Sequence, residues 1–378
     1  MAVIVSERRS RIQASPLRHV DLLLFGAPIV LSAIGLLMVY SSTHRKLEEA
    51  GLDPYDYVKR QGLAIAAGVV VMLVLTSIDY RRLRELALLG FLGTVLLLVA
   101  VLKFGANVKG AQARFDVGPF QIQPAELAKL FLTLLIAGYC ARNREALSGR
   151  RLIAALLIAG VPLGLIMLQP DLGTALVLMA MVFTIVMIAG ARARHLAVLF
   201  LLGLTFAVGA VQAGVLDQYQ IDRLTNFADS GANLKTSGLN QEQSQIAIAT
   251  GGVTGQGLFE GSQTRGSFVP EQHTDFIFTV VGEELGFVGG AFVLLLFAVI
   301  ILRILRAARL AHDPFGALCC MGILAMFVVQ VFENVGMTMG IMPITGIPLP
   351  FMSYGGSSIV VSFACIGLVS NVQMRRFS

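Results

Sequence analysis

The chain is a succession of long apolar runs, and this constrains its fold more than any other feature. Leu22 to Tyr40 contains no charged side chain. Further runs cover Gln61–Ile78, Leu86–Leu102, Ala125–Ala141, Leu152–Gln169, Leu172–Ala191, Leu196–Leu216, Leu285–Leu302, Phe315–Val331 and Gly355–Met374. A membrane helix needs ~20 mostly apolar residues, so the pattern predicts ten spans. Hydrophobic residues make up 56% of the chain and charged residues 14%, too few to clothe a soluble surface. Lipid offers the backbone no hydrogen-bond partners, so the expected fold is an all-α integral membrane protein of ten transmembrane helices. The same composition excludes a disordered chain and a folded basic nucleic-acid-binding domain. Cys140, Cys319, Cys320 and Cys365 all lie in apolar stretches, which argues against a disulfide framework or a cysteine metal site.

Arginine sets the expected orientation. Residues 1–20 form a basic tail with Arg8, Arg9, Arg11 and Arg18. The first run is too long for a signal peptide and no small-residue cleavage site follows, so it reads as an uncleaved span. An even number of spans puts both termini on one side, and the positive-inside rule makes that side cytoplasmic. The inner segments then hold 18 of the 29 Lys and Arg residues, all of them Arg. These clusters read as topology anchors, which leaves nucleic acid out as a partner. The inner connectors are short. The outer face carries the loop from Lys103 to Pro124, a large extracellular loop between spans seven and eight (residues 217–274), and a Pro/Gly-rich loop over residues 336–358. Function concentrates on loops held by a rigid scaffold, so the outer face is the expected working face. The whole is one polytopic membrane domain.

Ionisable groups at membrane depth are costly and usually functional. Glu126 and Lys129 stand three apart at the outer start of span four, on one helix face. They suit a structural ion pair and a functional site equally. Asp171, between spans five and six, is placed to cap span six. Glu271, His273, Asp275, Glu283 and Glu284 crowd the entry to span eight, more than capping requires. An aspartate at the edge of an apolar run is desolvated, which suits a general base. His273 lacks HExxH spacing, so a zinc site is not expected. In the long loop, Gln241 to Gly257 is rich in Gln, Ser, Thr and Gly; it is no Walker motif, and Ile246 and Ile248 hint at a helix lying on the membrane. The last loop, Pro343 to Ser358, is apolar yet broken by prolines and glycines. Such backbone at membrane depth must pack on protein or line a cavity.

Four motifs together carry a family resemblance. They are Gln123-Pro124-Ala125-Glu126, Gln169-Pro170-Asp171-Leu172-Gly173-Thr174, Pro270-Glu271-Gln272-His273-Thr274-Asp275-Phe276 and the stretch from Gly336 to Ser358. Their order and sequence resemble the SEDS family (shape, elongation, division and sporulation). The match runs from span one to the end, leaving out only the N-terminal tail and a stretch near Gly231–Thr236. Pro343 to Phe351 is similar to the elongation branch more than to the division branch. The resemblance implies a peptidoglycan glycosyltransferase of the bacterial cytoplasmic membrane that polymerises lipid II at the outer face during elongation. It places the family's essential aspartate on Asp275 and its substrate-cavity residues on Glu126, Lys129 and Asp171. Arg223 and Arg114 (in Arg114-Phe115-Asp116) correspond to further substrate contacts. His273, Ser353 and Ser357, within the matching motifs, are expected to meet the substrate as well, the two serines offering hydroxyls to the sugar or diphosphate. A class B penicillin-binding protein of the elongation complex is the implied partner.

The residues suit that chemistry. Joining an α-linked muramyl donor to a GlcNAc 4-hydroxyl to give a β1→4 bond is an inversion, so one general base suffices without a carboxylate nucleophile. The diphosphate leaving group calls for positive charge, from Lys129, from arginines or from a divalent cation, Mg or Mn. The main rival is a lipid II flippase, which would share the substrate. Its site is expected near the midplane, and no internal repeat supports a common transporter fold. A purely structural scaffold would leave the membrane-edge carboxylates without a role.

Overall fold

The computed structural model describes residues 21–108, 111–118, 120–142, 147–198, 201, 203 and 237–376. It is predominantly helical. The long helices are α1 (Leu22–Glu49), α2 (Asp56–Ser77), α3 (Tyr80–Phe104), α4 (Pro124–Ala141), α5 (Gly149–Met167), α9 (Ile277–Leu310), α10 (Pro314–Thr338) and α11 (Gly356–Met374). All eight are long and apolar enough to cross a membrane, and α6 (Leu172–Ile188) is a shorter apolar helix. Most of the seventh expected span, Leu196–Leu216, lies outside the described residues, as does Arg223. The chain is a multi-pass membrane protein. Local chemistry sets the helix starts: Asp21, Asp79, Asp171 and Asp313 each cap a helix through the side chain, and Pro124 and Pro314 stand at first positions. Helix α11 is the most enclosed, with 89% of its apolar window buried, whereas α2, α3, α5 and α9 turn most of their surface outward.

One loop departs from the all-helical expectation, and another holds helices of its own. The loop after α3 folds as an antiparallel meander of β1 (Ala106–Val108), β2 (Ala111–Val117) and β3 (Phe120–Ile122). Its register pairs Phe115 with Ile122 and Val117 with Phe120. The strict alternation Ala-Gln-Ala-Arg-Phe-Asp-Val in β2 has the strand period of two, a signal masked by the helical pattern around it. Within the long loop, α7 (Ser237–Gly251) and α8 (Ser262–Arg265) form. Helix α7 leaves Ile246 40% exposed and Ile248 half-buried, and buries another face. It packs on protein, where Ser244 meets Thr279 at 2.5 Å and donates to the Thr338 carbonyl at 3.0 Å. Gln241 donates to the Met337 and Met342 carbonyls. The Gln/Ser face of α7 thus satisfies carbonyls left open at the end of α10.

Helix α9 is broken at Gly286, whose φ is 65°. The break frees backbone groups on both sides, and the glycine run of the long loop takes them up. Gln256 and Gly257 donate to the carbonyls of Glu283 and Glu284, while Phe287 and Val288 donate to Gly252 and Val253. A Cβ at Gly255 would overlap the Glu284 carbonyl, so this backbone approach requires glycine. The run is therefore a backbone plug for a broken membrane helix, the condition under which irregular backbone is tolerated there. Glu283 completes the dock. Its carboxylate accepts from the backbone of Gln263 at 2.6 Å and Thr264 at 3.0 Å, and from the Thr264 hydroxyl at 2.7 Å.

Candidate active site

The bundle has two unlike ends. One gathers arginines: Arg303 pairs with Asp21 at 2.8 Å, Gln373 donates to Asp21 at 2.9 Å, and Arg375 donates to the Ser77 carbonyl at 2.8 Å. The opposite end gathers most of the residues singled out from sequence. Its organiser is the irregular segment 339–355 between α10 and α11. Ile347, Leu349, Phe351 and Met352 of this segment are buried. Phe351 sits at φ 65° between the rings of Phe327 and Phe363, a strained conformation held by packing. Gln61 of α2 donates to the Met352 carbonyl at 3.1 Å. Gly173, next to Asp171, lies so close that an added Cβ would stand 2.8 Å from the Thr345 carbonyl.

Asn334 connects this segment to the entry of α9. It is fully buried, and its side-chain amide donates at 2.8 Å both to the Asp275 carbonyl and to the Ile347 carbonyl. Asp275 is therefore fixed through its backbone, while its half-buried side chain stands at the mouth of α9. Just before it, His273 meets Tyr57 and Tyr354 edge-on or tilted, with ring centroids 4.9 Å and 5.7 Å away, and its carbonyl accepts from Tyr354 N–H at 2.8 Å. Sequence reasoning missed Asn334, Gln61 and Tyr57. Gln330, Glu333 and Asn334 share one face of α10 at i, i+3 and i+4 in an otherwise apolar helix, and that spacing was the available signal.

The start of α4 forms the other side. Gln123 donates to Asp171 at 3.1 Å, and Asp171 also accepts from Thr174 N–H at 2.9 Å and the Thr174 hydroxyl at 2.8 Å. Asp171 is thus both the cap of α6 and a tie to α4. Ser357 donates to the Gln121 carbonyl at 2.7 Å and accepts from Gln123 N–H at 3.0 Å, stapling β3 and α4 to α11. Ser353 is buried and accepts from Leu349 N–H at 2.8 Å. Both hydroxyls are committed to backbone. Glu126 and Lys129 form an enclosed ion pair at 2.7 Å, with side chains 3% and 2% exposed. Arg114 on β2 donates to the side chain of Gln121 at 3.1 Å, the residue whose carbonyl Ser357 holds.

Among the described residues no three His, Cys, Asp or Glu side chains converge as metal ligands. Both Asp171 oxygens already hold protein donors, and one Glu126 oxygen holds Lys129. These residues do not fit a resident ion, and no step below is routed through one.

Comparison with known proteins agrees with this arrangement. The family described as "Cell cycle protein", FtsW/RodA/SpoVE, matches residues 21–377. Stage V sporulation protein E of Bacillus subtilis is 36% identical over 356 residues, covering 93% of this chain and 96% of that protein. The peptidoglycan glycosyltransferase MrdB of Escherichia coli K12 is 34% identical over 349 residues, covering 92% and 94%. Among solved structures, one titled as a peptidoglycan synthase complex coordinating polymerisation and crosslinking superposes with a TM-score of 0.80 at 32% identity, covering 95% of this chain and 99% of that one. The Thermus thermophilus rod shape determining protein RodA superposes with a TM-score of 0.71 at 31% identity, covering 95% and 98%. With the motifs, the helical architecture and near-complete coverage all in agreement, the chain belongs to the FtsW/RodA/SpoVE family of cell cycle proteins.

Proposed function

We propose that this chain is a peptidoglycan glycosyltransferase that polymerises lipid II at the outer face of the bacterial cytoplasmic membrane, with Asp275 as general base. The observation that carries the reading is the fastening of the α9 entry to segment 339–355 by Asn334, beside the Tyr354–His273 backbone bond, at the end of the bundle opposite the arginines. The Asp275 carboxylate takes the proton of the acceptor GlcNAc 4-hydroxyl as that oxygen attacks the anomeric carbon of the muramyl donor. Undecaprenyl diphosphate leaves from the opposite side, and the α-linkage becomes β1→4. Asn334 leaves the base no backbone freedom, which matters because a misplaced base loses much of its effect. Lys129 is the nearest buried cation to the Gln123–Asp171 tie in sequence, and its ammonium has donors beyond the one that Glu126 takes. The sequence of segment 343–351 supports the elongation branch, and a class B penicillin-binding protein is the expected partner.

The test is purified protein with lipid II and its partner, with no other polymerase present. Glycan strands support the enzyme, while movement of lipid II between leaflets without strands supports the flippase. Sidedness has its own check. The four native cysteines are buried, so they add little background to thiol labelling. A cysteine at exposed Ser262 is expected to label with an impermeant reagent in intact spheroplasts, and one at exposed Arg309 only after permeabilisation.

A further inference from the structure

The arginine end contains a cavity that the proposed reaction does not use. It measures about 380 Å³ and is lined by Arg81, Arg84, Glu85, Arg142, Asp313 and Phe315. These residues come from the starts of α3 and α10 and from the end of α4. Two of the charged groups are held in place. Asp313 caps α10 through Gly316 N–H at 2.7 Å and lies 3.8 Å from Arg81. The Arg84 guanidinium stacks 5.5 Å from the Phe315 ring centre and donates to the Gly138 carbonyl at 3.3 Å. Three guanidinium groups against two carboxylates leave one net positive charge. Beyond the cavity, on the Glu85 side of α3, Leu89, Leu92 and Leu96 are exposed at helical spacing. A basic pocket whose Glu85 stands one helical turn from an exposed apolar stripe has the two chemistries of a phospholipid.

We propose that this cavity binds the phosphodiester headgroup of an anionic glycerophospholipid in the inner leaflet, with its acyl chains along the outward face of α3. The singly negative phosphodiester matches the net charge of the lining, and arginine suits phosphate through its planar fork of donors. The site would tie the cytoplasmic ends of three helices together without touching the catalytic end. The test is retention of lipid by detergent-purified protein from vesicles of equal parts phosphatidylglycerol and phosphatidylcholine, read by native mass spectrometry. Wild type is expected to keep phosphatidylglycerol in preference. Arg84→Gln with Arg142→Gln is expected to weaken that preference roughly thirtyfold. Arg142→Gln alone spares the Phe315 stacking and is expected to give part of the loss, which keeps the test open if the double variant misfolds. Arg150→Gln with Arg151→Gln, at the same end but outside the cavity, is expected to behave as wild type. Equal retention of the two lipids, or equal loss in the Arg150/Arg151 control, would overturn the proposal. So would inorganic phosphate raising the melting temperature as much as phosphatidylglycerol, since that would mark a site for free anions.

Discussion

The two ends of the bundle hold similar kinds of polar groups and use them differently. At the arginine end, charged side chains mostly meet helix caps, helix-end carbonyls or each other. Asp21 caps α1 while receiving Arg303 and Gln373, and Arg375 reaches the last carbonyls of α2. At the opposite end, buried polar side chains hold irregular backbone in place. Asn334, Gln61, Ser357 and Glu283 each bond to main chain in another segment of the fold. Charge at a membrane surface is therefore a poor guide to chemistry by itself. Burial alone does not separate the ends, since Asn371 at the arginine end is also buried and bonds the Leu75 and Ile78 carbonyls. Those carbonyls close a helix, whereas Asn334, Gln61 and Glu283 hold irregular loop backbone.

That contrast is tested most severely at Asp275. Asp275→Asn keeps the shape and removes the base, and a general base contributes roughly 10²–10⁴-fold. Polymerisation is expected to fall by about that factor while the melting temperature and partner binding hold. Near-normal strand synthesis would remove Asp275 from the chemistry.

Next in size is the enclosed Glu126–Lys129 pair. Removing one member leaves a buried charge unpaired, which costs roughly 3–5 kcal/mol, so each single alanine variant is expected to be poorly stable. The exchanged pair, Glu126→Lys with Lys129→Glu, separates two roles. Recovered stability and recovered activity would make the pair structural. Recovered stability without activity would give Lys129 a part in holding diphosphate.

Asn334→Ala strips hydrogen bonds from the Asp275 and Ile347 carbonyls, and each buried unpaired group costs roughly 1–3 kcal/mol. A lowered melting temperature is expected, with kcat falling more than the affinity for lipid II changes. A loss of stability with unchanged turnover would show that fastening the α9 entry is no part of catalysis.

The smallest effect on turnover is expected at the arginine end. Arg303→Gln takes the cation from Asp21, whose side chain is 3% exposed but keeps Gln373 and the first N–H groups of α1 as donors. A destabilisation of roughly 1.5–3 kcal/mol is therefore expected, with polymerisation per folded molecule unchanged. A large loss of turnover in this variant would erase the distinction between the two ends.

Much of this protein was legible in one dimension. Spans, the arginine bias and the large loops follow from hydropathy and charge, because lipid acts on each segment separately and rewards the same composition wherever it occurs. Motif resemblance singled out Asp275, Asp171 and the Glu126–Lys129 pair as site candidates, and helical spacing placed the last two on one face. The β2 strand was written in plain alternation and was read as loop. The roles of other residues depend on partners far away in sequence. The glycines of the long loop match no motif until the break at Gly286 shows which backbone groups they meet. Glu283 reads as a site carboxylate until α8 is seen docked on it. Ser353 and Ser357 are expected to offer hydroxyls to a substrate, and only the fold shows that both also bond to backbone. Asn334 reads as a lone polar residue until Asp275 and Ile347 come to its two N–H groups. Composition decided which segments cross the membrane. Only the tertiary structure decided which polar groups satisfy one another, since a buried donor is paired by proximity in space and sequence order does not specify it.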